Sequence, residues 1–288
     1  MEPSARRGVQ LTDTDRTLLA FAAEHRFVLA AQVAALLGAS QAAAAARLRR
    51  LSRAGYLRHA RKLHRGPVWH QVTRAGLRAV DSALPAPRGF DLATQRHDAG
   101  LGWLMLAARA GRFGPLARVI SEREMRSRDG RAGREGGDGR DGHDGRDGRV
   151  SRYGVRLPGV GPGGHERLHY PDMVIVTEAG HRVAFELELS TKEPERRERI
   201  LSAYAADHRI DAVVYLVDRA TVGRAVERSA ARLGLRDLVS VRQVTVADGT
   251  SPLTRSRAVE RAGERGAGGR GAEGRVAEGR GAEDGPAR

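Results

Sequence analysis

Tyr170-Pro171-Asp172-Met173-Val174-Ile175-Val176 and Val183-Ala184-Phe185-Glu186-Leu187-Glu188-Leu189, two runs parted by a short turn, decide the fold of this chain. Both are rich in β-formers, and Glu178-Ala179-Gly180 between them suits a three-residue hairpin loop with Gly180 in the left-handed conformation. Closing that loop with Thr177 opposite His181 sets the register, and counting back places Asp172 opposite Glu186. Side chains so opposed have Cβ atoms roughly 4.5–5.5 Å apart, a separation at which two carboxylates repel. Strand alternation adds Glu188 to the Glu186 face and turns Val183, Phe185, Leu187 and Leu189 the other way. Three carboxylates therefore crowd one patch of an otherwise apolar hairpin. A divalent cation held by a few carboxylates and water would convert that repulsion into a site. The alternative is a half-exposed strand with its glutamates on the wet face.

Pro171-Asp172, a hairpin and then Glu186-x-Glu188 resembles the active-site signature of the PD-(D/E)XK nuclease superfamily, with Glu188 where the usual Lys would stand. The wider order of parts runs from a winged-helix start through Pro171-Asp172 to Glu186-Leu187-Glu188-Leu189-Ser190-Thr191 and a helix bearing a Tyr. That order resembles the replication-relaxation family of actinobacterial plasmids and mobile elements, over residues 10–245. The resemblance implies an N-terminal winged helix-turn-helix joined to a PD-(D/E)XK-like α/β domain. It implies Mg²⁺ or Mn²⁺ on Asp172 and Glu186, with Glu188 ligating too or orienting the attacking water, and Lys192 stabilising charge at a phosphate. It further implies a part in plasmid replication and DNA relaxation, by binding or nicking near an origin, with other replication or transfer proteins as partners. Two other readings stay open: a catalytically inactive nuclease fold serving as a DNA-binding accessory factor, and a winged-helix transcriptional regulator.

Composition narrows the classes. The 288 residues suffice for one or two domains, and 40% hydrophobic content suffices for ordinary cores. The lack of cysteine excludes disulfides, thiol nucleophiles and thiolate metal sites, and fits a reducing cytoplasm. No secretory h-region opens the chain, and the longest uncharged run, Phe27 to Ala46, is too broken by polar residues to span a membrane. A net charge of +15 favours a polyanion partner, most simply double-stranded DNA. Only Lys62 and Lys192 among the 50 basic residues are lysine, so part of this charge reflects an arginine bias.

Residues 1–88 read as the helix-turn-helix unit. Thr12 caps a helix ending near His25, Leu29 to Leu37 form a second helix closed by Gly38, and Ser40 caps a third ending at Gly55. Tyr56–Ala60 and Val68–Val72 form a hairpin with a basic tip. Between Glu24 and Asp81 stand eleven basic residues and no acidic one, the electrostatic footprint of DNA binding. Gln41, Arg47 and Arg50 on the third helix, with Arg58, Arg61, Lys62 and Arg65 around the hairpin, are the candidate contacts. Five alanines from Ala42 to Ala46 leave few side chains to read base edges, so phosphate contacts should dominate. His59, His64 and His70 lack acidic or cysteine partners nearby and read as phosphate or packing residues.

A helix from Thr73 to Leu84 precedes a junction at Pro85-Ala86-Pro87 and Gly89. Residues 89–248 read as the α/β domain. It opens with a long helix, Asp91 to Arg112, whose His97-Asp98 can face a neighbouring site. A short strand, Leu116 to Ser121, places Glu122 and Glu124 as further carboxylate candidates. Residues 126–149, rich in Asp-Gly-Arg, read as a flexible loop, and 249–288 as a disordered tail. Ser190 and Glu193 have capping-box spacing before a helix reaching about His208. A strand (Asp211–Val217), a helix (Arg219–Leu233) and a strand (Leu238–Val246) complete the domain.

Overall fold

The computed structural model describes residues 10–61, 64, 66–135, 152–161, 166–246 and 254–255. The fold is mixed α+β. Its N-terminal part runs α1 (Asp13–Glu24), α2 (Ala30–Leu37), α3 (Gln41–Arg53), β1 (Leu57–Ala60), β2 (Trp69–Val72) and α4 (Arg74–Arg78). Thr12 caps α1 as expected, in a reciprocal capping box with Asp15, and Gly38 closes α2 at φ 61°. Ser40 caps α3 through its hydroxyl, which accepts from the Ala43 N–H. The β1–β2 hairpin pairs Leu57 with Val72 and Ala60 with Trp69, and Val28 adds a third extended segment through reciprocal hydrogen bonds with His70.

The remainder comprises α5 (Gln95–Arg109), β3 (Leu116–Ser121), α6 (Glu122–Glu135), β4 (Val155–Val160), β5 (Glu166–His169), β6 (Met173–Thr177), β7 (Arg182–Glu188), α7 (Pro194–Ala205), β8 (Ala212–Val217), α8 (Ala220–Arg232), β9 (Val239–Thr245) and β10 (Thr254–Arg255). The main sheet has the order β10-β9-β8-β7-β6-β3. Strands β7, β8 and β9 are parallel, joined through α7 and α8, whereas β3, β6 and β7 alternate in direction. The hairpin at the centre keeps the expected register: Met173 faces Phe185 and Val176 faces Arg182. Thr177 N–H donates to the His181 carbonyl, and Gly180 turns at φ 86°.

Each sheet face has its own apolar cover. Phe185 and Leu187 join a core that runs without a break from Leu18 and Leu48 of the N-terminal helices through Leu104 of α5 to Val246. Ala184, on the opposite face, packs with Leu201 and Tyr204 of α7 and with Val222 and Val226 of α8. The helices α2 and α5 meet closely. Gln32 donates its amide to the Ala99 carbonyl at 2.8 Å, and a Cβ at Gly102 would stand 2.4 Å from that same amide nitrogen. No described helix is long and apolar enough to cross a membrane.

Several boundaries differ from expectation. The helix after Thr73 stops at Arg78, because Asp81 adopts φ 50° and the Ser82 N–H turns back to the Leu77 carbonyl. Residues 126–135, expected to be a flexible loop, continue α6. Two ion pairs at helical spacing, Arg126–Glu122 and Arg128–Glu124, and the buried Met125 support that turn of helix. Residues 136–149 lie outside the described residues. Glu193, not Ser190, precedes α7, and Pro194 opens it. Two residues of the expected tail, Thr254 and Arg255, pair with β9; the rest of 249–288 lies outside the described residues. The hairpin β4–β5 was not anticipated.

Candidate functional site

The two glutamates of the central hairpin are buried and Asp172 is half-buried, which removes the wet-face alternative. Glu186 is 3% exposed and Glu188 6%. A buried carboxylate needs donors, and each of the three has found its own. Asp172 stands where the β6–β7 ladder runs out. The next strand-to-strand acceptor would come from the Pro171 position, and instead Asp172 Oδ2 accepts the Leu187 N–H at 2.8 Å. The same oxygen accepts from His97 Nε2 at 3.1 Å, while the Asp172 carbonyl accepts from the Glu122 N–H. Burial would push the His97 pKa down, but the charges of Asp172 and Asp98 and a hydrogen bond to each raise it to about 10.

Glu186 lies under α7. Its Oε1 accepts from His169 Nε2 at 2.6 Å and from the Tyr204 hydroxyl. Burial raises its pKa, yet the charges of His169 and Lys192 and these hydrogen bonds bring it below the ordinary value. Burial and the negative charge beside it push the Tyr204 phenol well up, so Tyr204 serves as a donor. Glu188 Oε2 pairs with the ammonium of Lys192. Burial alone would lower the Lys192 pKa; the charges of Glu186, Glu188 and Asp172 together raise it. All three carboxylates therefore act on this one ammonium. Its segment is anchored from behind, since buried Arg197 donates to the Lys192 carbonyl at 3.0 Å and to Ser229 Oγ of α8 at 2.9 Å.

Lys192 pairs with Glu188 and feels the charges of Asp172 and Glu186, while those two carboxylates are held by separate histidines, His97 and His169. As a seat for Mg²⁺ or Mn²⁺, however, the residues do not fit in this arrangement. Each carboxylate has one oxygen committed to a protein donor, two cations already face the cluster, and no group of three or more His, Asp or Glu among the described residues is placed to hold a metal ion. No protein-family model matches the chain, and no curated protein or solved structure matches it either. Glu122 and Glu124 do not join the cluster; they pair with Arg126 and with Arg118 and Arg128.

The second candidate surface is α3 with the β1–β2 hairpin. Ala44, Leu48 and Leu51 of α3 are buried, and at 100° per residue the side chains turned fully outward are those of Ala42, Ala46, Arg49 and Arg53. Both arginines are exposed, as are Gln41 and Arg61. A groove of about 380 Å³ separates α3 from the hairpin, lined on opposite sides by Gln41, Ala45 and Arg49 and by His59, Arg61 and Val68. Among the described residues, no acidic side chain lies within ion-pair distance of Arg49, Arg53, Arg61, Arg74 or Arg78.

The other candidate contacts are committed elsewhere. Arg47 and Arg50 both bind Asp15 of α1, whose side chain is fully buried. Arg58 donates to Gln71 and to the Pro87 carbonyl, tying the hairpin to the junction segment. Lys62 and Arg65 lie outside the described residues. His70 is a packing residue: burial, with the nearby charges of His59 and Arg49, lowers its pKa to about 4.

Sequence reasoning missed Arg49, Arg53, His169 and Tyr204 as site residues. Helical phase would have found the first two, because Arg47 and Arg50 flank the buried stripe of α3 while Arg49 and Arg53 oppose it. The demand of Glu186 for donors is the signal for the other two, though it appears only once that carboxylate is known to be buried.

Proposed function

We propose that this chain is a double-stranded DNA-binding protein of winged helix-turn-helix type. Its second part is PD-(D/E)XK-like, and its role is that of an accessory factor in the replication or relaxation of a plasmid or mobile element. The observation that carries the binding reading is the outward face of α3 and the β1–β2 hairpin, where Arg49, Arg53 and Arg61 are exposed and have no acidic partner among the described residues. The order α1, Val28 bridge, α2, α3, hairpin supports the winged-helix assignment. Groove, helix and hairpin present cations to phosphates, while the alanines of α3 offer bases little beyond shape and apolar contact. The role in replication rests on the resemblance of the ordered parts, from the helix-turn-helix to Pro171-Asp172 and Glu186-x-Glu188.

The test is duplex binding by the full chain at several salt concentrations. Three phosphates neutralised by Arg49, Arg53 and Arg61 give a log–log slope of roughly −3, and Lys62 and Arg65 would take it to about −4.5. Reversing Arg49 and Arg53 to Glu should weaken binding to all sequences alike and make the slope shallower by about 2. Affinity indifferent to salt, or unchanged in that variant, would remove the reading. A parallel assay on supercoiled plasmid with and without Mn²⁺ decides between accessory factor and nickase; no nicking under either condition is expected.

A further inference from the structure

We propose that the Lys192 ammonium supplies the positive charge that a divalent cation would bring to Asp172, Glu186 and Glu188, and that this cluster is complete without a metal ion. Two buried carboxylates and the half-buried Asp172 at one end of the central hairpin need positive charge. Lys192 supplies part of it. Its Nζ pairs with Glu188, and the charges of Glu186 and Asp172 act on it as well. His97 and His169 complete the shell from outside, one on Asp172 and one on Glu186.

The ammonium is seated, not draped. Arg197, 7% exposed, holds the Lys192 carbonyl with one nitrogen and Ser229 of α8 with another, so the segment between β7 and α7 is fixed at the point where its side chain turns to the cluster. The residue type also fits the role. Lysine is a compact point charge on a flexible stem, able to sit among three carboxylates as a small cation would, whereas the planar guanidinium pairs edge-on with one or two. In a chain with only two lysines among 50 basic residues, one of them occupies this position. A divalent ion entering the cluster would meet the ammonium at close range, and that repulsion excludes it while Lys192 stays.

The experiment is a Mn²⁺ titration of the full chain, read by the paramagnetic resonance signal of free Mn²⁺, for wild type, Lys192→Met and the double variant Lys192→Met with Glu186→Gln. Wild type should show no saturable site up to about 1 mM, the weak end of protein cation sites. Lys192→Met should gain one site, tighter than any in wild type by about a hundredfold or more, since a unit charge at contact distance is removed. The double variant should lose it. Tight binding by wild type that Glu186→Gln abolishes would overturn the proposal, as would a Lys192→Met protein that folds and gains no site. Should Lys192→Met fail to fold, the wild-type titration with Glu186→Gln still decides, because a tight site there is incompatible with a resident ammonium.

Discussion

Replacing Asp15 by Asn probes both the packing of α1 against α3 and the availability of two arginines for DNA. The Asp15 side chain is fully buried. Oδ1 accepts from Arg47 Nη1 at 2.8 Å and from Arg50, and Oδ2 accepts from the Thr12 N–H at 3.0 Å and hydroxyl at 2.9 Å. Burial pushes this carboxyl up, and the hydrogen bonds from Arg50, Thr12 and Arg47 more than reverse it, leaving a pKa of about 2 against an ordinary 3.8. Such a depression corresponds to about 2.4 kcal/mol favouring the folded, ionised form. Because the folded pKa is the lower one, this stability is present in full above the unfolded value and is lost as the pH falls through 2. Asp15→Asn should therefore cost about 2–3 kcal/mol in urea unfolding at pH 7. The gap to wild type should shrink by roughly half at pH 3 and nearly close at pH 2. The same variant frees Arg47 and Arg50, so its DNA affinity should become steeper in salt, by up to about 0.9 per arginine that reaches a phosphate. A gap below about 0.5 kcal/mol at pH 7, or one that persists under acid, would refute the ion-pair account. An unchanged salt slope would show that the two arginines lie out of reach of DNA even when released.

Three further outcomes are expected. In Asp172→Asn, His97 loses its main counterweight to burial, so its titration, followed by NMR, should move from about 10 to near or below 6.5. His97 stabilises the wild-type fold fully below pH 6.5 and progressively less toward pH 10, so the variant should differ least from wild type in strong base; a wild-type His97 titrating near 6.5 would contradict this. Tyr204→Phe removes one of two donors from a buried carboxylate and should cost about 1–3 kcal/mol at pH 7, a gap that narrows toward acid because the stability held by the lowered Glu186 pKa is lost there in wild type too. Gly76→Ala places a Cβ 2.3 Å from the Tyr56 carbonyl oxygen, a backbone atom that cannot move aside alone. Thermal unfolding should fall by the equivalent of about 1–3 kcal/mol, where mere helix propensity would predict a gain.

The central hairpin was legible because its information is local. A loop of three residues ending in glycine fixes the pairing, alternation does the rest, and Asp172 must then meet the end of β7. Helix starts marked by Thr12 and Ser40 were legible for the same reason, since a cap is a contact over three residues. The errors lie where distant segments decide. Residues 126–135 carry almost no apolar side chains, yet Met125 and two acid–arginine pairs from the preceding turn keep the helix running. Arg47 and Arg50 looked free because the acid that claims them, Asp15, lies more than thirty residues away on another helix.

The same reasoning separates what the hairpin needs from what it does. From sequence, three crowded carboxylates ask for positive charge but do not say whether a metal or a side chain supplies it. Burial favours the side chain. Glu186 and Glu188 lie under α7, and the segment leading into α7 is the one that carries Lys192. Any helix packed there would deliver some residue of that segment to the carboxylates. In a chain that elsewhere uses arginine, a lysine arrives, with Arg197 and Ser229 holding it in place. The acid at Glu188, where the resembled nuclease signature has lysine, then ceases to be an isolated departure. The cation has moved four residues along the chain, onto a separate loop, and the acid now sits opposite it as a partner. Substituting Glu188→Lys would place two ammonium groups in one patch, so it should destabilise the fold unless Lys192 is neutralised in the same protein.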